Sequence, residues 1–173
     1  MLHRLTREGL CKRLSQSTRW FAPRQHVWLH CQRPPTQTSS SLWRVEWGMT
    51  THGMDQLGDI THLGCLAHND KVQQDQDLLR VHWEGYEWTE ADELYHTVWQ
   101  CVEGEEIISS PVAGKLVRVV NSKEYQVDED ITWVEMECSE NDLSRAAANW
   151  VDEASYYRWI KTLAPGKFSD NVA

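Results

Sequence analysis

A chain of 173 residues, 40% of them apolar and 25% charged, is long enough for one substantial core, and none of its apolar runs reaches the roughly 20 residues a membrane-crossing helix needs. The net charge of −9 is unevenly spread: residues 1 to 44 hold eight Lys or Arg against Glu8 alone, whereas residues 45 to 173 hold 25 acids against nine bases. A part so acidic is repelled by phosphate backbones, so its partners are proteins or small molecules, and RNA contact is open only to the basic N-terminal arm.

The first 33 residues set Arg4, Arg7, Lys12, Arg13, Arg19, Arg24 and Arg33 among Leu2, Leu5, Leu10, Leu14, Trp20 and Phe21, almost without acid. That is the composition of a mitochondrial targeting segment. With Pro34 to Ser41 (PPTQTSSS) unable to build a core, residues 1–44 read as a basic N-terminal extension of a matrix-side mitochondrial protein. Cys11, Cys31, Cys65, Cys101 and Cys138 are odd in number and include no C-x-x-C pair, which fits a reducing compartment better than a disulfide framework. Ten tryptophans require pockets, either in the fold or on a partner.

After Leu42 the pattern turns to short strands: 59–66, 78–83, 97–102, 115–120 and 132–138 are rich in β-branched and aromatic residues and bounded by Gly, Asn, Asp or Pro. Thr132, Val134, Met136 and Cys138 alternate with Trp133, Glu135 and Glu137, as a half-buried strand does. Ser139 with Asp142 three residues on predicts one helix start, and Asp152 a second. On the second segment Tyr156, Trp159, Ile160 and Leu163 share a face, and Pro165-Gly166 ends it. The expected class is mainly β with C-terminal helices.

Few groups suggest chemistry. His62, Cys65 and His68 have metal-ligand spacing, but on a strand positions three apart point to opposite faces. His82 and His96 near Asp92 and Glu93 lack an identified nucleophile, and phosphate-binding, G-x-S-x-G and H-E-x-x-H motifs are missing from the sequence. The acid runs Glu103 to Glu106 and Asp128 to Asp130 read as solvated turns. No catalytic residue, metal ligand or cofactor is therefore assigned, and the expectation is that the chain is not an enzyme.

Three stretches carry a resemblance. Gly48, Thr50, Leu57, Gly58, Asp59 and Ile60 fall in GMTTHGMDQLGDITHL; Ser110-Pro111-Val112-Ala113-Gly114 leads into a strand ending at Asn121; and Trp133 to Met136 precede the closing WVDEASYYRWI. In this order they resemble the glycine cleavage H proteins, a match from Gly48 to Ile160. The resemblance implies a lipoyl-domain-like flattened β-barrel or sandwich over 45–163, with an insertion at about 67–97 and a tail at 164–173. In that family a lysine at a hairpin tip just before the Ser-Pro turn carries lipoate. Here the ungapped position is Glu103, and the sequence holds no lysine between Lys71 and Lys115. A carboxylate cannot form the lipoyl amide.

The insertion is foreign to the family. It joins Trp83, Tyr86, Trp88, Tyr95 and Trp99 to surrounding acids, a composition suited either to a protein interface or to a lid over the chain's own core. The function expected is that of a non-lipoylated accessory or structural subunit of a large mitochondrial assembly, respiratory or ribosomal, with other subunits as partners. The alternatives are a working lipoyl carrier of glycine cleavage using Lys71 or Lys115, and a regulator of lipoyl-dependent enzymes.

Overall fold

The computed structural model describes residues 19–33, 42–91, 96–120 and 131–163. In chain order the elements are β1 (Trp20–Ala22), β2 (Val27–Gln32), β3 (Trp43–Met49), α1 (Thr51–Leu57), β4 (Asp59–Cys65), β5 (Lys71–Val72), β6 (Asp77–Ala91), β7 (His96–Ser109), β8 (Gly114–Val119), β9 (Val134–Cys138), α2 (Glu140–Ala147) and α3 (Glu153–Ile160). They form two antiparallel sheets, one ordered β1-β2-β3-β9-β8-β5 and the other β4-β6-β7. The mainly β class with C-terminal helices is thus observed, and the described strands close no barrel.

One core lies between the sheets. Val45, Trp47, Val134 and Met136 of the large sheet pack in the same apolar cluster as Ile60, Leu63, Leu79, Val81 and Ile108 of the small one. Trp47 and Trp133 are wholly buried, and truncating either to Ala is expected to cost about 3–5 kcal/mol. In β9, Val134, Met136 and Cys138 point inward as their alternation predicts. Trp133 departs from it because it precedes the strand and is buried, its N–H donating to the Trp47 carbonyl.

β1 and β2 correct the expected extension through residue 44. Trp20, Ala22, Val27 and Leu29 enter the main core, while Phe21 and Trp28 on the opposite face form a second cluster under Tyr156 of α3. Burial on both faces removes the polar alternation that marks a half-exposed strand. The Arg19 guanidinium also lies 4.6 Å from the Trp28 ring centre. The folded part therefore starts by residue 19, and a boundary at 44 would cut β3.

Both helix starts are where the sequence puts them. Ser139 accepts from the Asp142 N–H at 3.2 Å and Asp152 from the Ser155 N–H at 2.8 Å. The apolar stripe of α3 is narrower than expected, since Tyr156 is fully buried whereas Trp159 and Leu163 are each 37% exposed. Pro165 and Gly166 lie outside the described residues. Among the described residues no helix is long and apolar enough to cross a membrane.

Candidate functional site

The small sheet carries Trp83, Tyr86, Trp88 and Trp99, four of the five candidate interface residues. β6 pairs with β4 only as far as Asp59↔Glu84. From Gly85↔Val102 to Ala91↔His96, seven rungs of β6 and β7 pair only with each other among the described residues, a ribbon of about 20–24 Å at 3.4 Å per residue. Residues 85–91 and 96–102 thus continue the hairpin whose inner half belongs to the sheet. Residues 92–95, between the two strands in sequence, lie outside the described residues.

The candidate interface residues divide. Trp83 packs against the main core and over Gly104, where any side chain would collide with the indole. Tyr86 is 60% exposed on the opposite face. Trp88 and Trp99 occupy directly opposed positions of the ladder, while Tyr95 lies outside the described residues. Six other tryptophans (Trp20, Trp28, Trp43, Trp47, Trp133 and Trp150) are buried in the fold.

Glu103 is not at a hairpin tip. It pairs with Glu84 midway along the ladder, and Glu103 to Glu106 lie within β7 instead of forming a turn. Directly opposed residues of antiparallel strands project to one side, so Asp59, Glu84 and Glu103 form a row of carboxylates across all three strands. None of the three has a basic partner among the described residues. The next row is His62, His82 and Glu105. The two imidazole centres are 5.6 Å apart, and Glu105 takes Arg80 at 3.1 Å and His82 at 3.7 Å. Both rows border an open groove of about 580 Å³.

An irregularity at Thr61 lets Ile60 and Leu63 both face the core while His62 faces out. His62 and Cys65 therefore do not converge, and among the described residues no group of three His, Cys, Asp or Glu is placed to hold a metal ion. The side chain of His96 and residues Asp92 and Glu93 lie outside those described, as does the run Asp128 to Asp130. His82 has His62 and Glu105 as neighbours.

A second polar site escaped sequence reading. It joins the β1–β2 turn, the start of α1 and α3 beside a cleft of about 350 Å³ lined by His26, Gly53, Leu57 and Ile107 among others. The Thr50 hydroxyl donates to the His26 carbonyl at 2.9 Å and accepts from the Gly53 N–H at 3.1 Å. With its one proton used, it must accept from the Tyr156 hydroxyl 2.8 Å away. Tyr156 oxygen is then the acceptor for His26 Nδ1 at 3.2 Å, which places the imidazole proton on Nδ1 and leaves Nε2 a bare lone pair.

Burial first, and His52 second, lower the His26 pKa and keep the ring neutral; burial pushes Tyr156 up to about 12. His26 also holds a left-handed backbone, φ 52°, a conformation a non-glycine residue keeps only where its surroundings enforce it. The groups satisfy one another, as in a structural junction. No single local motif announces it, because its members are separated by up to 130 residues in sequence.

These sites belong to a two-sheet antiparallel β protein with helices at its C-terminal end. No protein-family model matches the chain, and no curated protein matches it either.

Proposed function

We propose that the chain is a non-catalytic accessory subunit of a large mitochondrial assembly, respiratory or ribosomal, built on an H-protein-like barrel-sandwich fold that no longer carries lipoate. The observation that carries this reading is the β6–β7 hairpin. It immediately precedes the Ser110 to Gly114 turn, as the lipoyl-bearing hairpin does in the family the sequence resembles. The ungapped lysine position falls at the Glu84↔Glu103 rung, and the ribbon continues outward from there through Gly85↔Val102 to Ala91↔His96. The sequence between the two strands is Asp92, Glu93, Leu94 and Tyr95, with no amine to acylate.

An isolated two-stranded ribbon is marginal in water. One that adds Tyr86, Trp88 and Trp99 to seven rungs gains stability by docking on another protein, which favours an interface over a lid. Lys71 and Lys115, the acceptors a carrier would need, face each other across the β5–β8 ladder, a poor base for a swinging arm. Targeting composition survives in residues 1–18, with Arg4, Arg7, Lys12 and Arg13 against Glu8. Intact-mass analysis of the protein from mitochondria tests the carrier alternative. The expected mass is that of the unmodified polypeptide, and a lipoyl increment on Lys71 or Lys115 would restore the carrier.

A further inference from the structure

Among the described residues strand β7 is an edge: in the small sheet its neighbour on one side is β6, and no described strand lies on the other. It is 14 residues long and contains no Pro, Lys or Arg, the residues with which proteins commonly blunt an exposed edge. Resting on the accessory-subunit reading, we infer that this edge takes an extended strand of a partner protein by backbone pairing, with a Lys or Arg of that strand opposite Glu103 and an apolar side chain opposite Gly104.

The register sets the chemistry. A strand added beside β7 extends the rows already crossing the sheet. Its residue opposite Glu103 joins Asp59, Glu84 and Glu103, three carboxylates that lack a cation among the described residues. Like charges set directly opposite one another are destabilising, so a basic side chain there relieves a conflict built into the sheet. The residue opposite Glu105 meets a carboxylate already engaged by Arg80 and His82, so its demand for charge is smaller. Between them the partner's side chain falls on the other face beside Gly104, whose missing side chain leaves the Trp83 indole over the backbone.

The same acids exclude other occupants. Antiparallel pairing of two copies centred on Glu103 to Glu106 would set acid against acid, which disfavours a homodimer through this edge. Residues 81–114 hold eight acids and no Lys or Arg, so a nucleic acid strand is repelled.

The test uses the full chain and a labelled, capped peptide of about seven residues alternating Lys and Val, enough to span roughly 20 Å of edge, with anisotropy as readout. Three comparisons accompany it: the same peptide N-methylated at alternate residues, which removes backbone donors; a Glu-for-Lys peptide; and the Glu103→Lys protein. Binding of the Lys peptide is expected to weaken with salt, to vanish on N-methylation or with Glu, and to fall at least about tenfold, roughly 1.4 kcal/mol, for Glu103→Lys. Equal binding of the N-methylated peptide would reduce the site to charge attraction and overturn the inference, as would no binding at all. Co-migration with an assembly but no peptide binding rejects edge pairing and leaves the accessory role standing; peptide binding by a chain that never enters an assembly supports edge pairing and rejects that role.

Discussion

Replacing Tyr156 by Phe removes one oxygen from the junction between the β1–β2 turn, α1 and α3. The ring should stay, since it stacks on Phe21 with centroids 4.7 Å apart. Two hydrogen bonds go, the 2.8 Å one to Thr50 and the 3.2 Å one from His26, each worth about 1 kcal/mol net. The His26 Nδ1–H also loses its acceptor in a half-buried site, which adds up to about 1 kcal/mol. The expected loss is about 2–3 kcal/mol, read as a lower urea midpoint at unchanged slope. A double cycle with Thr50→Ala should show coupling of about 1 kcal/mol. A loss below about 0.5 kcal/mol, or nitrogen NMR placing the His26 proton on Nε2, would refute the hydrogen-bond direction derived from Thr50.

The same junction sets a pH dependence. Because the folded His26 pKa lies below its ordinary 6.5, the unfolded chain takes up a proton first. The His26 contribution is complete above 6.5 and is lost as pH falls toward the folded value; the loss should shrink in His26→Gln, measured by urea midpoints from pH 8 to 5. Glu103→Gln breaks the carboxylate row and should stabilise the fold by about 0.2–1 kcal/mol, less at high salt, in the same assay. Gly58 has φ 99° and stands where a side chain would meet the Glu84 carbonyl at 2.6 Å, so Gly58→Ala should cost at least about 1–2 kcal/mol in thermal unfolding.

What the sequence discloses follows how each face is exposed. β9 alternates, and the predicted bounds of β4 and β9 are close to those observed, although the irregularity at Thr61 breaks the alternation of β4. β1 and β2 carry apolar residues on both faces because α3 covers the outer one, and their Arg neighbours mimic a targeting segment. α1 was missed since its seven residues include Gly53 and show no apolar stripe. The hairpin strands are legible only in part: 84–91 of β6 is rich in acids, and in β7 the run Glu103 to Glu106 reads as a solvated turn although it continues the strand to Ser109. Glu103 was assigned by ungapped counting, and only the ladder shows that it lies mid-strand. The Thr50, Tyr156 and His26 network is a product of tertiary folding and leaves no local trace.

The most direct measurement is native-gel fractionation of gently solubilised mitochondria carrying either the full chain or a form in which residues 86–101 are replaced by a two-residue turn. The full chain is expected to run in a large complex whose other members mass spectrometry of the band names, and the trimmed form to fold but run free. Both forms running free, the full chain at 20.2 kDa, or both entering the complex equally, would contradict the claim that the hairpin docks this subunit in its assembly.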